Sequence, residues 1–258
     1  MRIVIKIGTS TLAHPSGLLN IKRVEELCKI MSDLKNAGNE IILVSSGAIA
    51  MGVGKLSLHE KPHDIPTRQA AAAVGQCELM YTYDKLFAEY NHTVAQILIT
   101  GDDVEHENRR HNFENTILRL LQLGVLPIIN ENDTISTDEI AVGDNDTLSA
   151  IVAVCMNADL LVLLSDIDGL YTADPHKNKD AKLIEEVTEI TPEIEALGGG
   201  KGSVLGTGGM QTKISAAKLC TENGTDVVIA NGFDPRVLYD ITDKKSVGTR
   251  FIAGGMKK

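Results

Sequence analysis

The chain has 258 residues, of which 70 are Ile, Leu or Val, far too large an aliphatic share for a disordered chain and enough length for one large or two small domains. Aromatic residues are scarce (five Tyr, four Phe, no Trp), so the core must be aliphatic, which suits parallel strands buried on both faces. With 25 basic against 35 acidic residues the net charge is −10, which argues against a protein that neutralises a nucleic-acid backbone and means that any anionic ligand must be met by a local concentration of positive charge.

The first apolar run, Arg2–Ile7, reads as a strand and carries Lys6, followed by Gly8-Thr9-Ser10. A lysine inside a buried strand is costly unless it is paired or functional; the alternative is a Lys pointing out of an edge strand. From Asn20 to Ala37 the residues Ile21, Val24, Leu27, Cys28, Met31 and Leu34 fall at helical spacing, with Asn20 as the cap and Gly38 as the stop. A second strand, Glu40–Ser45, runs into Ser46-Gly47-Ala48 and an apolar turn. There Ser46 is the expected helix cap, and Gly47 bares backbone N–H groups to an anion. The polar segment Lys55–Thr67, with Pro62 and Pro66, reads as a loop. It contains a literal HExxH, His59 to His63, but Pro62 opposes the helical turn that would put both imidazoles on one zinc ion.

A helix over Ile65–Tyr90, a strand over Thr93–Thr100 and a helix over Asn108–Leu123 follow. The fourth strand, Val125–Asn130, runs into the NEND cluster Asn130–Asp133. The GDND cluster Gly143–Asp146 then opens a helix, Asn145–Met156. These amides and carboxylates are either turn and cap chemistry or a polar pocket for a ligand that carries an ammonium group. A fifth strand, Asp159–Ser165, leads into LSDIDGLYTADP, Leu164–Pro175. The Gly-rich stretch Gly198–Gly209 is the one candidate hinge. Within GTGGMQTK, Gly206–Lys213, bare amides lead into a helix, Met210–Glu222, with Lys213 on its first turn. Amides, helix dipole and point charge together suit phosphates. Strands over Thr225–Ala230 and Ser246–Ile252 and a frayed end, Ala253–Lys258, close the chain.

Strand and helix alternate with crossovers of a length that implies an α/β fold, a mainly parallel sheet with helices on both faces. In such sheets ligands bind outside the carboxyl ends of the strands. A Walker-type phosphate loop, a G-x-G-x-x-G dinucleotide fingerprint and the protein-kinase motif set are absent. The four cysteines, Cys28, Cys77, Cys155 and Cys220, form no CxxC and read as reduced thiols of a cytoplasmic protein. The start of the chain is no signal peptide, and no stretch has the length of a membrane span.

Lys6-x-Gly8-Thr9-Ser10, Ser46-Gly47-Ala48-Ile49, NEND, VGDND, SDIDGLYTADP and GTGGMxTK occur in this order and spacing. Together they resemble the glutamate 5-kinase family of the amino acid kinase superfamily, as does the stretch from Arg68-Gln69 to Gly75-Gln76. The resemblance spans residues 2–252 and implies a three-layer αβα sandwich over a single domain, 1–258, without the C-terminal PUA domain that many members carry. Gln211 stands where members often have Ser, and Ser45 and Ser165 where Thr is common.

The implied reaction takes ATP, accompanied by Mg²⁺, and L-glutamate to ADP and L-glutamyl 5-phosphate. The family also implies proline as feedback inhibitor, a glutamyl phosphate reductase downstream and a homo-oligomer, dimer or tetramer. It assigns catalysis to Lys6, Lys213 and Asp146. Glutamate falls to Ser46, Gly47, Ala48, Asn130, Asp133, Asp144 and Asn145. ATP falls to Lys6, Gly8, Thr9, Ser10, Ser165, Asp166, Thr207, Gly208, Gly209, Met210, Gln211, Thr212 and Lys213, with no protein metal ligands. N-acetylglutamate kinase is the alternative within the superfamily, and a sensor without catalysis is the alternative of another class.

Overall fold

A computed structural model describes residues 1–14, 18–58, 62–136, 144–175, 177–199 and 209–254. Its elements are β1 (Arg2–Ile7), α1 (Thr9–Leu12), α2 (Ile21–Asn36), β2 (Glu40–Ser45), α3 (Ala48–Lys55), α4 (Ile65–Ala88), β3 (Val94–Ile99), α5 (Gly101–Glu105) and α6 (Glu107–Gln122). They continue with β4 (Leu126–Glu131), α7 (Asn145–Cys155), β5 (Leu160–Ser165), β6 (Glu186–Val187), α8 (Pro192–Ala196), α9 (Met210–Glu222), β7 (Asp226–Asn231), α10 (Val237–Thr242) and β8 (Thr249–Phe251).

Among the described residues eight strands form one sheet in the order β3-β4-β2-β1-β5-β7-β8-β6. Strands β1 to β5 and β7 run parallel, whereas β8 is antiparallel to β7. Alternation along each strand divides the core in two. Ile3, Ile5 and Ile7 join Ile41, Leu43, Val162 and Leu164 under α2, α4 and α10. Val4, Ile42, Val44, Leu161 and Leu163 face α6, α7 and α9. The result is a sheet between two helical layers, as expected for strands that are apolar on both faces. Among the described residues no helix is long and apolar enough to cross a membrane.

Strand β1 lies in the sheet interior, paired with β2 on one side and β5 on the other. The edge-strand reading of Lys6 is thereby excluded. Pro66 belongs not to a loop but to the first turn of α4, where its missing N–H costs nothing; Asp64 caps that helix from outside through the Thr67 N–H. Helix α3 is capped by Gly47, not Ser46. Gly47 has φ of 96°, a left-handed conformation that a β-carbon would strain, and no side chain caps the helix. Helices α3 and α4 touch backbone to backbone: a β-carbon on Gly75 would lie 1.8 Å from the Ala48 carbonyl oxygen, and one on Gly52 1.8 Å from that of Ala71. The HExxH residues His59 to Lys61, most of the Gly198–Gly209 stretch and residues 255–258 lie outside the described residues.

Candidate active site

Pairing register aligns the carboxyl ends of three central strands. Ile7 is opposite Ser45 of β2 and Leu164 of β5, and Ser165 is opposite Asn231 of β7. Lys6 shares the face of Val4, so its side chain leaves the sheet toward α7 and α9, at the edge where the fold leaves room for a ligand.

There it meets Asp146, on the first turn of α7. Lys6 Nζ is 2.7 Å from Asp146 Oδ1, and Lys213 Nζ, from the first turn of α9, is 3.0 Å from Oδ2. The Thr212 hydroxyl donates to the same Oδ2 at 2.8 Å. All three charged side chains are buried. Burial pushes the Asp146 pKa up, but the Lys6 and Lys213 ammonium groups outweigh it and hold the carboxyl at about 2. Two ammonium groups converge on this one carboxylate, and Lys6 also acts on the neighbouring Asp144 carboxyl, so the centre concentrates charge of a kind suited to a polyanionic ligand. Gly8 lies beside it: a β-carbon there would sit 3.7 Å from Lys6 Nζ. Thr9 and Ser10 continue as the short helix α1.

One residue before Asp146 the chemistry changes. Asn145 Nδ2 is shared among the Ser45 carbonyl at 3.0 Å, Ser46 Oγ at 2.7 Å and Asn130 Oδ1 at 3.3 Å. Asn130 Nδ2 in turn donates to Gln76 Oε1 at 2.9 Å. The expected residues Ser46, Asn130 and Asn145 therefore form one cluster beside Gly47 and Ala48 at the start of α3. Asp144 Oδ1 caps α7, accepting from the N–H groups of Asp146 and Thr147, so the cap reading of that residue is realised in the structure. Burial is the largest influence on its pKa, and the net shift is upward. Asp133 is pushed up to about 6 by burial, with Glu131 adding to the shift and Arg68 opposing it.

On the other side of the Lys6 centre, Ser165 ends β5 and donates to Asp166 Oδ1 at 3.2 Å. Gly209 precedes α9, Met210 and Gln211 open it, and Gln211 is exposed. Thr207 and Gly208 lie outside the described residues. Gln76 and Tyr83 escaped assignment from sequence. Gln76 closes a stretch that carries part of the family resemblance, and both are the polar side chains on the buried face of an Ala-rich helix that also buries Leu79 and Phe87.

The amino acid kinase family model matches residues 1–231. Over 256 residues the chain is 55% identical to the glutamate 5-kinase of Clostridium perfringens (strain 13 / Type A), covering 98% of this chain and 95% of that one. It is 55% identical over 251 residues to the glutamate 5-kinase of Clostridium acetobutylicum, covering 97% and 94%. Among solved structures, carbamate kinase from Giardia lamblia bound to AMP-PNP superposes with a TM-score of 0.69 at 18% identity, covering 97% of this chain and 98% of that one, a likeness of fold.

Proposed function

The chain belongs to the amino acid kinase family, and from that premise we propose the reaction: transfer of the γ-phosphoryl group of ATP to the γ-carboxylate of L-glutamate, giving L-glutamyl 5-phosphate and ADP. The observation that carries it is the Lys6–Asp146–Lys213 centre at the carboxyl edge of the sheet, with the amide cluster of Asn145, Asn130 and Ser46 next to it.

The acceptor carboxylate, with an ordinary pKa near about 4.3, is already ionised at neutral pH and needs no general base. The obstacle is repulsion between an anion and a polyanion, so catalysis rests on positioning and positive charge around the phosphoryl group. Lys6 faces the β- and γ-phosphates, Lys213 neutralises the leaving side, and Asp146 holds both ammonium groups. Gly8, Thr9 and Ser10 offer backbone donors. Gly209, Met210, Gln211 and Thr212, with Thr207 and Gly208, form the nucleotide side together with Ser165 and Asp166. Mg²⁺ would accompany ATP as the counter-ion of its phosphates. Among the described residues no group of three or more His, Cys, Asp and Glu side chains is gathered to hold a metal ion.

Glutamate places a carboxylate against Ser46, Gly47 and Ala48, where the α3 N-terminus has no side-chain cap. Asn130, Asp133, Asp144 and Asn145 take its α-ammonium and polar edges. A half-buried carboxylate such as Asp133 favours the free amine over an N-acyl group, which would leave it unpaired. The same reading includes proline as feedback inhibitor, a glutamyl phosphate reductase that receives the labile product, a homo-oligomer (dimer or tetramer), a single kinase domain and a cytoplasmic location. Purified protein with Mg-ATP, glutamate and hydroxylamine is expected to yield glutamyl hydroxamate, which requires an acyl phosphate. Product from N-acetylglutamate, aspartate or carbamate in place of glutamate would overturn the assignment.

A further inference from the structure

Helix α4 runs behind the acceptor side, and of the side chains it buries Gln76 and Tyr83 are the polar ones. They stand seven residues apart, two helical turns, and so share one face. Each reaches a different point of the site: Gln76 Oε1 accepts from Asn130 Nδ2 at 2.9 Å, and the Tyr83 hydroxyl is 2.9 Å from Ser45 Oγ. The backbone contact between Gly75 and Ala48 sets the depth of α4 against α3 at the same level.

The direction of this chain of amides is not free. At one end the Glu131 N–H, which can only donate, points at Asn130 Oδ1 at 2.9 Å. At the other, the Ser45 carbonyl, which can only accept, takes Asn145 Nδ2 at 3.0 Å. Backbone groups thus identify the oxygen and nitrogen of both asparagines, and Asn130 Nδ2 must be turned to Gln76. Two outward consequences follow. Ser46 Oγ accepts from Asn145 Nδ2, so its own hydroxyl hydrogen is left to donate. Asn145 spends its nitrogen inside the cluster, so its Oδ1 is the end left for a donor.

We infer that Gln76 is a positioning residue for the acceptor: by taking up Asn130 Nδ2 it locks the amide chain in the polarity that presents a hydroxyl donor at Ser46 to a substrate carboxylate and a carbonyl acceptor at Asn145 to the α-ammonium. Gln76 does not touch substrate; it acts through Asn130. The inference rests on the glutamate reading above. Without an acceptor at position 76, the buried Asn130 Nδ2 loses its partner and the amide is held from its Oδ1 side only, which loosens the ends that the cluster offers to the ligand.

Steady-state kinetics on Gln76→Met, Gln76→Glu, Asn130→Asp and the double variant test this. Gln76→Met, close in shape but a poor acceptor, is expected to raise KM for glutamate about tenfold and KM for ATP by less than about twofold. Gln76→Glu keeps an acceptor and is expected to recover glutamate KM to within about threefold of the parent. In Gln76→Glu/Asn130→Asp two carboxylates face each other, and the loss is expected to exceed the product of the single losses by about tenfold. Unchanged glutamate KM in Gln76→Met, parallel rises in both KM values, or equal damage in Gln76→Met and Gln76→Glu would overturn the inference. Should Gln76→Met fail to fold, non-additivity in the double variant decides. A parent enzyme that forms no glutamyl hydroxamate would overturn the glutamate reading instead.

Discussion

Asn145 and Asp146 are consecutive residues on the first turn of α7, yet they organise their surroundings by opposite means. Asn145 sits in a chain of neutral hydrogen bonds through Ser46, Asn130 and Gln76. Asp146 gathers two ammonium groups and a hydroxyl by charge. Neutral amides fix direction and so recognise a ligand whose charges do not change when it binds. The charged centre supplies the field strength that the proposed phosphoryl transfer requires. Damage to the first should therefore appear in KM for the acceptor, and damage to the second in kcat.

The widest separation is expected from Asp146→Asn. It leaves two buried ammonium groups facing a neutral amide, which should lower kcat by about 10³ or more and cost roughly 3–5 kcal/mol of stability in denaturant unfolding. Retained stability would mean that the carboxylate is not what holds the lysines. Lys213→Ala should lower kcat by roughly 10²–10³ with little loss of stability, because Asp146 keeps Lys6. Near-normal turnover would detach this centre from the chemistry.

On the neutral side, Asp133→Ala should raise KM for glutamate by about tenfold or more while leaving KM for ATP nearly unchanged. The same carboxyl, pushed up to about 6 by burial and by Glu131, adds a pH signature. As pH falls through 6 it takes up a proton and loses its hold on an ammonium group. In consequence kcat/KM for glutamate should drop about tenfold per pH unit below that point, and that for ATP should not. The sign for stability is opposite: a carboxyl whose pKa is raised on folding costs stability while ionised, and the cost lessens as pH falls through 6. Asp133→Asn should therefore raise Tm at neutral pH although it impairs glutamate binding. Gly75→Ala tests the support behind the acceptor side: its β-carbon would lie 1.8 Å from the Ala48 carbonyl oxygen, so α3 and α4 must move apart. A loss of about 3 kcal/mol or more in thermal melts, with a rise in acceptor KM in whatever enzyme remains folded, would tie helix spacing to recognition.

The charged centre was largely legible in the sequence, because a Lys inside an Ile-Val strand and a Lys after a Gly-rich turn are conspicuous against their neighbours. So were the long parallel strands, which are apolar on both faces. The brace behind the acceptor was not legible. Gln76 lies in a helix whose alternation of small residues obscures which face is buried, and its partner is 54 positions away. Sequence points to Ser46 as the cap of α3 because Ser has the better capping chemistry. Gly47 takes the position because only it adopts φ of 96° without strain, and the Ser46 hydroxyl is drawn to Asn145 instead. Pro66 looked like a loop marker because a proline breaks helix interiors but also suits helix starts. The short elements α5, α8, α10 and β6 offer too few residues to show a period.

The interior position of β1 also bears on how the chain folds. Its partner β2 follows within 45 residues, but the strand that closes its other side, β5, begins only at Leu160. Until β5 emerges during synthesis, β1 is a bare edge of Ile and Val, the kind of edge on which neighbouring chains pair and aggregate. Lys6 stands on that edge, and a lysine on an exposed edge is a device that discourages pairing with a strange strand. The side chain proposed for phosphoryl transfer is thus also the one charge inside the apolar run of β1 while β5 is still missing.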